Sequence, residues 1–384
     1  MARRLANIPP TIFSEMSALA VRTGSLNLGQ GFPDQDGPDS VIEVAVDALR
    51  GGRNQYAPGS GVPELRAAIA RHQQRHYGLE LDPLEEVVVT AGATEAIAAA
   101  ILAFVDPGAE VVVLEPFYDS YLACIEMAGG VRRPVTLRAP DFRLDVDELR
   151  AAVTARTTVL LLNSPHNPTG AVLTRAELEA VAEVAIEHDL LVITDEVYEH
   201  LVFDDREHIP LSTLPGMWER TVSISSAGKT FSFTGWKVGW VTGPAELVRT
   251  VEAAKQWLTF CNAAPLQPAV AHALDHEAAY YRALAGRLQA ARDLLCSGLS
   301  TLDVRVHVPE GTYFVTTDVR SYGFPDGLAF CLALPERAGV VAIPAQMFYD
   351  DAEEGRHLVR WAFCKEDAVI KESISRLQSA NLHA

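Results

Sequence analysis

Five short apolar runs recur along this chain with helical patterns between them: Val87–Thr90, Val111–Leu114, Thr158–Leu162, Leu190–Thr194 and Thr221–Ser225. Each run is rich in apolar, largely β-branched residues, so each reads as a strand, and intervening segments such as Glu177–Glu187 carry helical spacing. Strands that alternate with helices fold into a mostly parallel sheet covered on both faces. That constraint has a functional corollary, because open α/β sheets gather ligand groups at the carboxyl ends of their strands. Residues Ala269 to Leu299 read as one long helical connector. Beyond it, Val304–Val308, Tyr313–Asp318 and His357–Phe363 read as strands of a smaller, antiparallel-type lobe. At 384 residues the chain is long for one core, so a large and a small lobe are expected.

Of 32 lysines and arginines only five are lysines, and two of these, Lys229 and Lys237, stand inside the Ser/Gly/Trp-rich stretch Ser225–Trp240. A guanidinium cannot be deprotonated to act as a nucleophile, so a chain that uses Arg elsewhere keeps Lys where a free amine is needed. The stretch lacks the Gly-x4-Gly-Lys-Ser/Thr spacing of a P-loop and the periodicity of a simple helix or strand. Lys229 therefore reads either as an amine forming a Schiff base with pyridoxal phosphate (PLP) or as a surface-loop lysine.

That cofactor needs a carboxylate beside its ring nitrogen, and the strand-like run Leu190–Thr194 ends at Asp195; the plainer reading is a turn cap. In Leu160–Gly170, Pro165 and Pro168 fix the backbone and present Asn163 and Asn167 as rigid amides. These suit a cofactor oxygen or a substrate carboxylate, or belong to an ordinary strand-to-helix turn with Thr174 capping a helix from near Ala176. Val87–Ile97 supplies a strand, a small-residue turn at Gly92, Ala93 and Thr94, and a helix whose first amides suit a phosphate, although such turns are common in α/β proteins. Ser226 adds a hydroxyl and Lys237 a charge. Tyr118, after the run Val111–Leu114, could stack on a ring or simply be buried.

Gly29–Asp34, Asn54–Tyr56, Asn163–Gly170, Thr194–Tyr198 and Ser226–Phe231 occur in an order that resembles the class I/II (fold-type I) PLP aminotransferases, from about Phe13 to about Phe363. The branch resembled is that of the kynurenine/glutamine transaminases and methionine aminotransferases. Phe13–Ala20, Ala91–Ala100 and Glu196–Asp204 are most similar to actinobacterial N-succinyldiaminopimelate aminotransferases. The resemblance implies an N-terminal arm (1–35) packing with the small domain, a large PLP-binding domain (36–270) with a mostly parallel seven-stranded sheet between helices, and a smaller α/β C-terminal domain (271–384).

It also implies roles. Lys229 is the Schiff-base lysine and proton shuttle, Asp195 the partner of the ring nitrogen, and Tyr198 with Asn167 the donors to the cofactor's phenolic oxygen, with Asn163 beside them. Tyr118 stacks on the ring, and Gly92, Ala93, Thr94, Ser226 and Lys237 form the phosphate cup. Tyr56 reaches the phosphate of a neighbouring subunit, which makes the enzyme a homodimer. Arg360 grips the substrate α-carboxylate, a bidentate task suited to a planar fork. Phe13, Gly31 and Phe32 cover the substrate. The implied reaction moves an amino group between N-succinyl-LL-diaminopimelate and 2-oxoglutarate. Methionine, glutamine or kynurenine are the alternative donors, and β-lysis of cysteine conjugates a possible side activity. Cys261 stands where the animal branch carries a histidine, which puts kynurenine specificity in doubt.

The formal charge of −18 argues against nucleic acid or an anionic membrane as the main partner. With every catalytic position filled and no DNA-binding extension, a regulatory domain is disfavoured. The five cysteines are scattered and expected to be reduced and buried, no spacing suggests a metal, and His166, His200 and the other histidines read as loop or surface residues. Met1–Pro10 lacks the apolar core of a signal peptide and no run reaches membrane-spanning length, so a cytoplasmic location is expected.

Overall fold

The structure is a computed structural model that describes Leu5, Ile8 and residues 11–384; the stretch Met1–Pro10, read above for a leader, lies outside the described residues apart from those two. In chain order the strands are β1 (Leu26–Asn27), β2 (Val87–Thr90), β3 (Glu110–Glu115), β4 (Val131–Thr136), β5 (Thr157–Asn163), β6 (Leu191–Asp195) and β7 (Thr221–Ser226). They continue with β8 (Gly239–Thr242), β9 (Arg305–His307), β10 (Phe314–Asp318), β11 (Val340–Val341), β12 (Ile343–Pro344) and β13 (Leu358–Ala362). Seven strands form the main sheet in the order β2-β8-β7-β6-β5-β3-β4. Its ladders are parallel except those of β8, which runs antiparallel to both neighbours. A second sheet, β12-β13-β10-β9, is antiparallel throughout. β1 pairs in parallel with β11.

Alternate residues of each central strand serve opposite faces. Val111 and Val113 of β3, Val159 and Leu161 of β5, and Val222 and Ile224 of β7 join a core made with helices Gly92–Phe104, Asp119–Ala128 and Ala245–Lys255. Val112, Leu114, Leu160, Leu162 and Val192 enter the core on the other face. Because both faces are covered, the strands read as continuous apolar runs, and each buried Val, Leu or Ile contributes about 1.5–3 kcal/mol by leaving water.

Helix Arg175–Glu187 starts on a capping box. The Thr174 hydroxyl accepts the Glu177 N–H at 3.2 Å, and the Glu177 carboxylate accepts the Thr174 N–H at 2.7 Å. The expected single connector is two helices, Gln267–His276 and Ala278–Leu299, separated at Glu277. The break has a packing reason: Ala269–Leu274 belong to the core around Trp240, whereas Leu284–Leu299 join the larger core shared by the small sheet and the second face of the main sheet. Cys124, Cys296, Cys331 and Cys364 are buried and free, but Cys261 is only half-buried. Among the described residues no helix is long and apolar enough to cross a membrane.

Candidate active site

The carboxyl ends of β5, β6 and β7 open onto a cavity of about 520 Å³, also walled by Phe314 and Arg360 from the small sheet. Lys229 enters it from the one-turn helix Ala227–Thr230 that follows β7. Its Nζ donates to the Tyr313 hydroxyl at 2.6 Å and lies 3.4 Å from the Gly31 carbonyl, which accepts the Tyr313 O–H at 2.6 Å. Burial pushes the Lys229 ammonium down to about 8, Arg360 and Lys237 act in the same direction, and Cys364 and Asp195 oppose them.

Asp195 ends β6 and is buried. One carboxylate oxygen accepts the Tyr121 O–H at 2.7 Å and the other the Val197 N–H at 3.3 Å. Burial nevertheless pushes the carboxyl up to about 6. Tyr198 stands edge-on to Tyr313 with ring centres 5.3 Å apart, and burial pushes its phenol well above the ordinary range. Tyr118 packs edge-on to Tyr121 at 5.8 Å, its phenol raised to about 12 by burial.

Asn163 lines the cavity with both ends of its amide engaged by backbone: it donates to the Asp195 carbonyl at 2.8 Å and accepts the Asn167 N–H at 2.7 Å. The side chain thereby fixes the Asn167 turn. Asn167 Oδ1 accepts a hydrogen bond from Arg360 Nη1 at 3.1 Å. Arg360, on β13, also donates to the Gly29 carbonyl at 2.8 Å, while its Nε has no partner. Its guanidinium lies 3.9 Å from the Phe314 ring centre and 4.8 Å from that of Phe13. Burial pushes it down to about 10, and the free donor directions are available to a ligand anion.

At the other end, Gly92 opens the helix Gly92–Phe104 with φ +72°, a left-handed conformation suited to glycine, and a Cβ there would lie 3.3 Å from Lys237 Cε and Nζ. Lys237 is itself left-handed (φ 53°), with Nζ 3.4 Å from the Thr94 hydroxyl. An added Cβ on Gly239 would sit 2.7 Å from the Gly92 carbonyl carbon, so the two backbones meet only because side chains are absent. Ala93, Thr94, Ser226 and Lys237 line the resulting cradle, where helix-start amides and an ammonium face one cavity end. One buried amine, one buried carboxylate, an aromatic wall and an anion cradle make a donor set that fits PLP.

Phe13 and Gly31 line the cavity, but two expected residues lie outside it in the single chain. Tyr56 is 84% exposed, edge-on to Phe260 at 5.5 Å. Phe32 is 47% exposed, with Lys365 Nζ 4.5 Å from its ring centre. His166, read as a loop or surface residue, lies in the loop after β5 and is buried there, its Nδ1 2.8 Å from the Thr169 hydroxyl. Sequence reasoning missed Tyr121, Tyr313 and Phe314. Tyr121 had a signal, since it stands three residues after Tyr118 and so on the same side of the following helix.

The family described as aminotransferase class I and II matches residues 23–377. A Mycobacterium tuberculosis protein described as a probable N-succinyldiaminopimelate aminotransferase is 54% identical, over 97% of each chain. The methionine aminotransferase of Escherichia coli is 39% identical, over 98% of this chain and 97% of that one. The solved structure of N-succinyldiaminopimelate aminotransferase from M. tuberculosis superposes with a TM-score of 0.96 at 55% identity, covering 98% of this chain and 99% of that one.

Proposed function

The chain belongs to the class I and II aminotransferases, PLP-dependent enzymes, and we propose that it moves an amino group between N-succinyl-LL-diaminopimelate and 2-oxoglutarate in lysine biosynthesis. The observation that carries the substrate is the 54% identity, along 97% of the chain, to the M. tuberculosis protein of that description.

When bound, PLP supplies an electron sink that stabilises negative charge on the substrate α-carbon. Lys229 is the proposed covalent anchor. With its amine held near 8, a fraction is neutral at physiological pH and could take the proton from that carbon and hand it on to the cofactor. Asp195 would keep the ring nitrogen protonated, and Tyr121 and Val197 orient its two oxygens. Tyr118 would stack on the ring, with Tyr198 and Asn167 donating to its phenolic oxygen. The cradle of Gly92, Ala93, Thr94, Ser226 and Lys237 would hold the phosphate. Arg360 would bind the substrate α-carboxylate, pre-oriented by Asn167 and Gly29. Phe13 and Phe314 exclude water around that guanidinium.

A homodimer is part of the proposal. Tyr56 and Trp257 are 84% and 86% exposed, and with Leu258 and Phe260 they form an apolar patch that supports a two-fold interface. Tyr56 would then complete the partner's phosphate site. Mixed Lys229→Ala and Tyr56→Ala chains should recover activity if Tyr56 acts across the interface. The domain division proposed is arm 1–35, large domain 36–270 and small domain 271–384. The pairing of β1 with β11 and the Ala362 N–H donated to the Leu28 carbonyl support an arm docked on the small domain. A cytoplasmic location completes the proposal.

The test is a donor panel with 2-oxoglutarate: N-succinyl-LL-diaminopimelate, methionine, glutamine, kynurenine and aspartate. N-succinyl-LL-diaminopimelate should lead in kcat/KM by tenfold or more, about 1.4 kcal/mol. A tenfold lead for methionine or aspartate would overturn the substrate and leave the reaction class intact.

A further inference from the structure

Away from the cavity, three histidines meet where three elements join. His72 and His76 lie one turn apart on helix Pro63–Tyr77, and His200 lies in the segment after β6. One ring nitrogen of each lies within 4.8 Å of the others. The ring centres are 4.6, 5.0 and 4.9 Å apart for His72–His76, His72–His200 and His76–His200. His72 Nε2 and His200 Nε2 face each other at 2.8 Å, and His76 Nε2 lies 2.7 Å from the hydroxyl of Tyr281 on helix Ala278–Leu299. His72 is buried, whereas His76 and His200 are partly exposed and leave a way in from solvent.

We propose that His72, His76 and His200 form a binding site for a divalent transition ion of the zinc type, with water as fourth ligand, clamping helix Pro63–Tyr77 to the segment that carries Tyr198. Histidines four apart project from one face of a helix, a spacing that lets both reach one ion, and imidazole suits zinc, copper and nickel. Tetrahedral zinc with bonds of about 2.0–2.1 Å holds its nitrogens about 3.3 Å apart. The His72–His200 contact, a ring-to-ring hydrogen bond at 2.8 Å, therefore opens by about half an ångström when an ion sits between the two nitrogens. Two features limit the affinity. His72 Nδ1 has no hydrogen-bond partner to orient the ring, and Arg75 and Arg282 lie close enough to His76 to oppose added positive charge. An unoriented ligand ring weakens binding by about 10–100-fold.

The experiment uses untagged, PLP-loaded protein, equilibrium dialysis against zinc chloride with elemental analysis, and thermal unfolding with and without zinc. His272 and His276 form a separate pair on helix Gln267–His276, ring centres 4.7 Å apart, so the parent protein carries His272→Gln and His276→Gln. The parent should bind one zinc per chain and melt higher with zinc, and His76→Gln and His200→Gln should each weaken binding at least tenfold with PLP content unchanged. Cobalt in the parent should give the intense visible bands of a tetrahedral site, a readout that stands even if a variant folds poorly. Absence of stoichiometric zinc in the parent, a hydrated-ion cobalt spectrum, or unchanged binding in both variants would overturn the proposal.

Discussion

Glu110 and Asp195 are both buried in the main sheet, one at the amino end of β3 and the other at the carboxyl end of β6. Their surroundings differ sharply. Glu110 accepts the Thr154 hydroxyl at 2.6 Å and Arg156 Nη2 at 2.5 Å, with Arg133 Nε 3.9 Å away. The Thr154 hydrogen bond first, and then the two guanidiniums, hold it below the ordinary carboxylate range in spite of burial. Asp195 has a phenol and a backbone N–H but no cation in contact, and burial raises it to about 6. The pairing of Glu110 is complete within the fold, whereas Asp195, in the cavity wall, is left without a cation and has room for a cationic ligand group beside it.

The largest effect expected sits in the same cavity. Lys229→Ala should lower transamination by about 10⁴-fold or more, since anchor and proton shuttle are lost together, while circular dichroism and non-covalent PLP binding persist. Asp195→Asn should cost about 10²–10³-fold in kcat because the ring nitrogen loses its anion. Glu110→Gln is its counterpart, with kcat within about twofold of the parent and stability reduced by about 1–3 kcal/mol in denaturant titration. Equal losses of activity in the two variants would erase the distinction. Arg360→Lys should raise KM for the donor with a loss of about 1–3 kcal/mol in kcat/KM, since an ammonium cannot reproduce a paired fork.

A further effect, of the same order, is in apo-protein stability. A carboxyl whose folded-state value is raised binds its proton more tightly when folded, so its contribution falls as pH climbs from the ordinary aspartate value to about 6 and is flat above. The shift is worth about 2–3 kcal/mol. Apo Asp195→Asn should therefore gain on the apo parent by that amount between pH 4 and pH 7, measured by denaturant unfolding. Lys229 acts in the opposite window: its lowered value makes apo stability rise between about pH 8 and the ordinary lysine range. A gap between apo Asp195→Asn and the parent that does not change with pH would mean that Asp195 is not destabilised in the empty cavity.

The central sheet was legible because strands buried on both faces must be apolar throughout. β4 was not, because this edge strand carries Arg132, Arg133 and Pro134 with partly exposed side chains. β8 was hidden by its place in a Gly/Trp-rich stretch, where its own first residue is a glycine. Lys229, Asp195 and Asn167 stood out by their own chemistry, as a rare lysine, a strand-end carboxylate and a turn amide between prolines, whereas Arg360 was named only through the family resemblance. Tyr313 did not, since a tyrosine at the start of a strand looks like core until its hydroxyl is seen 2.6 Å from Lys229 Nζ. The histidine cluster escaped for a topological reason: His200 lies 128 positions after His72, and only the packing of helix Pro63–Tyr77 on the segment after β6 brings them together.

Lys229 is the lysine proposed to meet the cofactor carbonyl, set apart from Lys237 in the anion cradle and from Lys255, whose Nζ is engaged by the Gly59 and Phe260 carbonyls at 2.6 and 2.7 Å. Borohydride reduction of the PLP-loaded enzyme, followed by digestion and peptide mapping, tests it directly. The account predicts a single stable pyridoxyl label on Lys229 and none in Lys229→Ala. A label on Lys237 or Lys255 in the parent protein would contradict it.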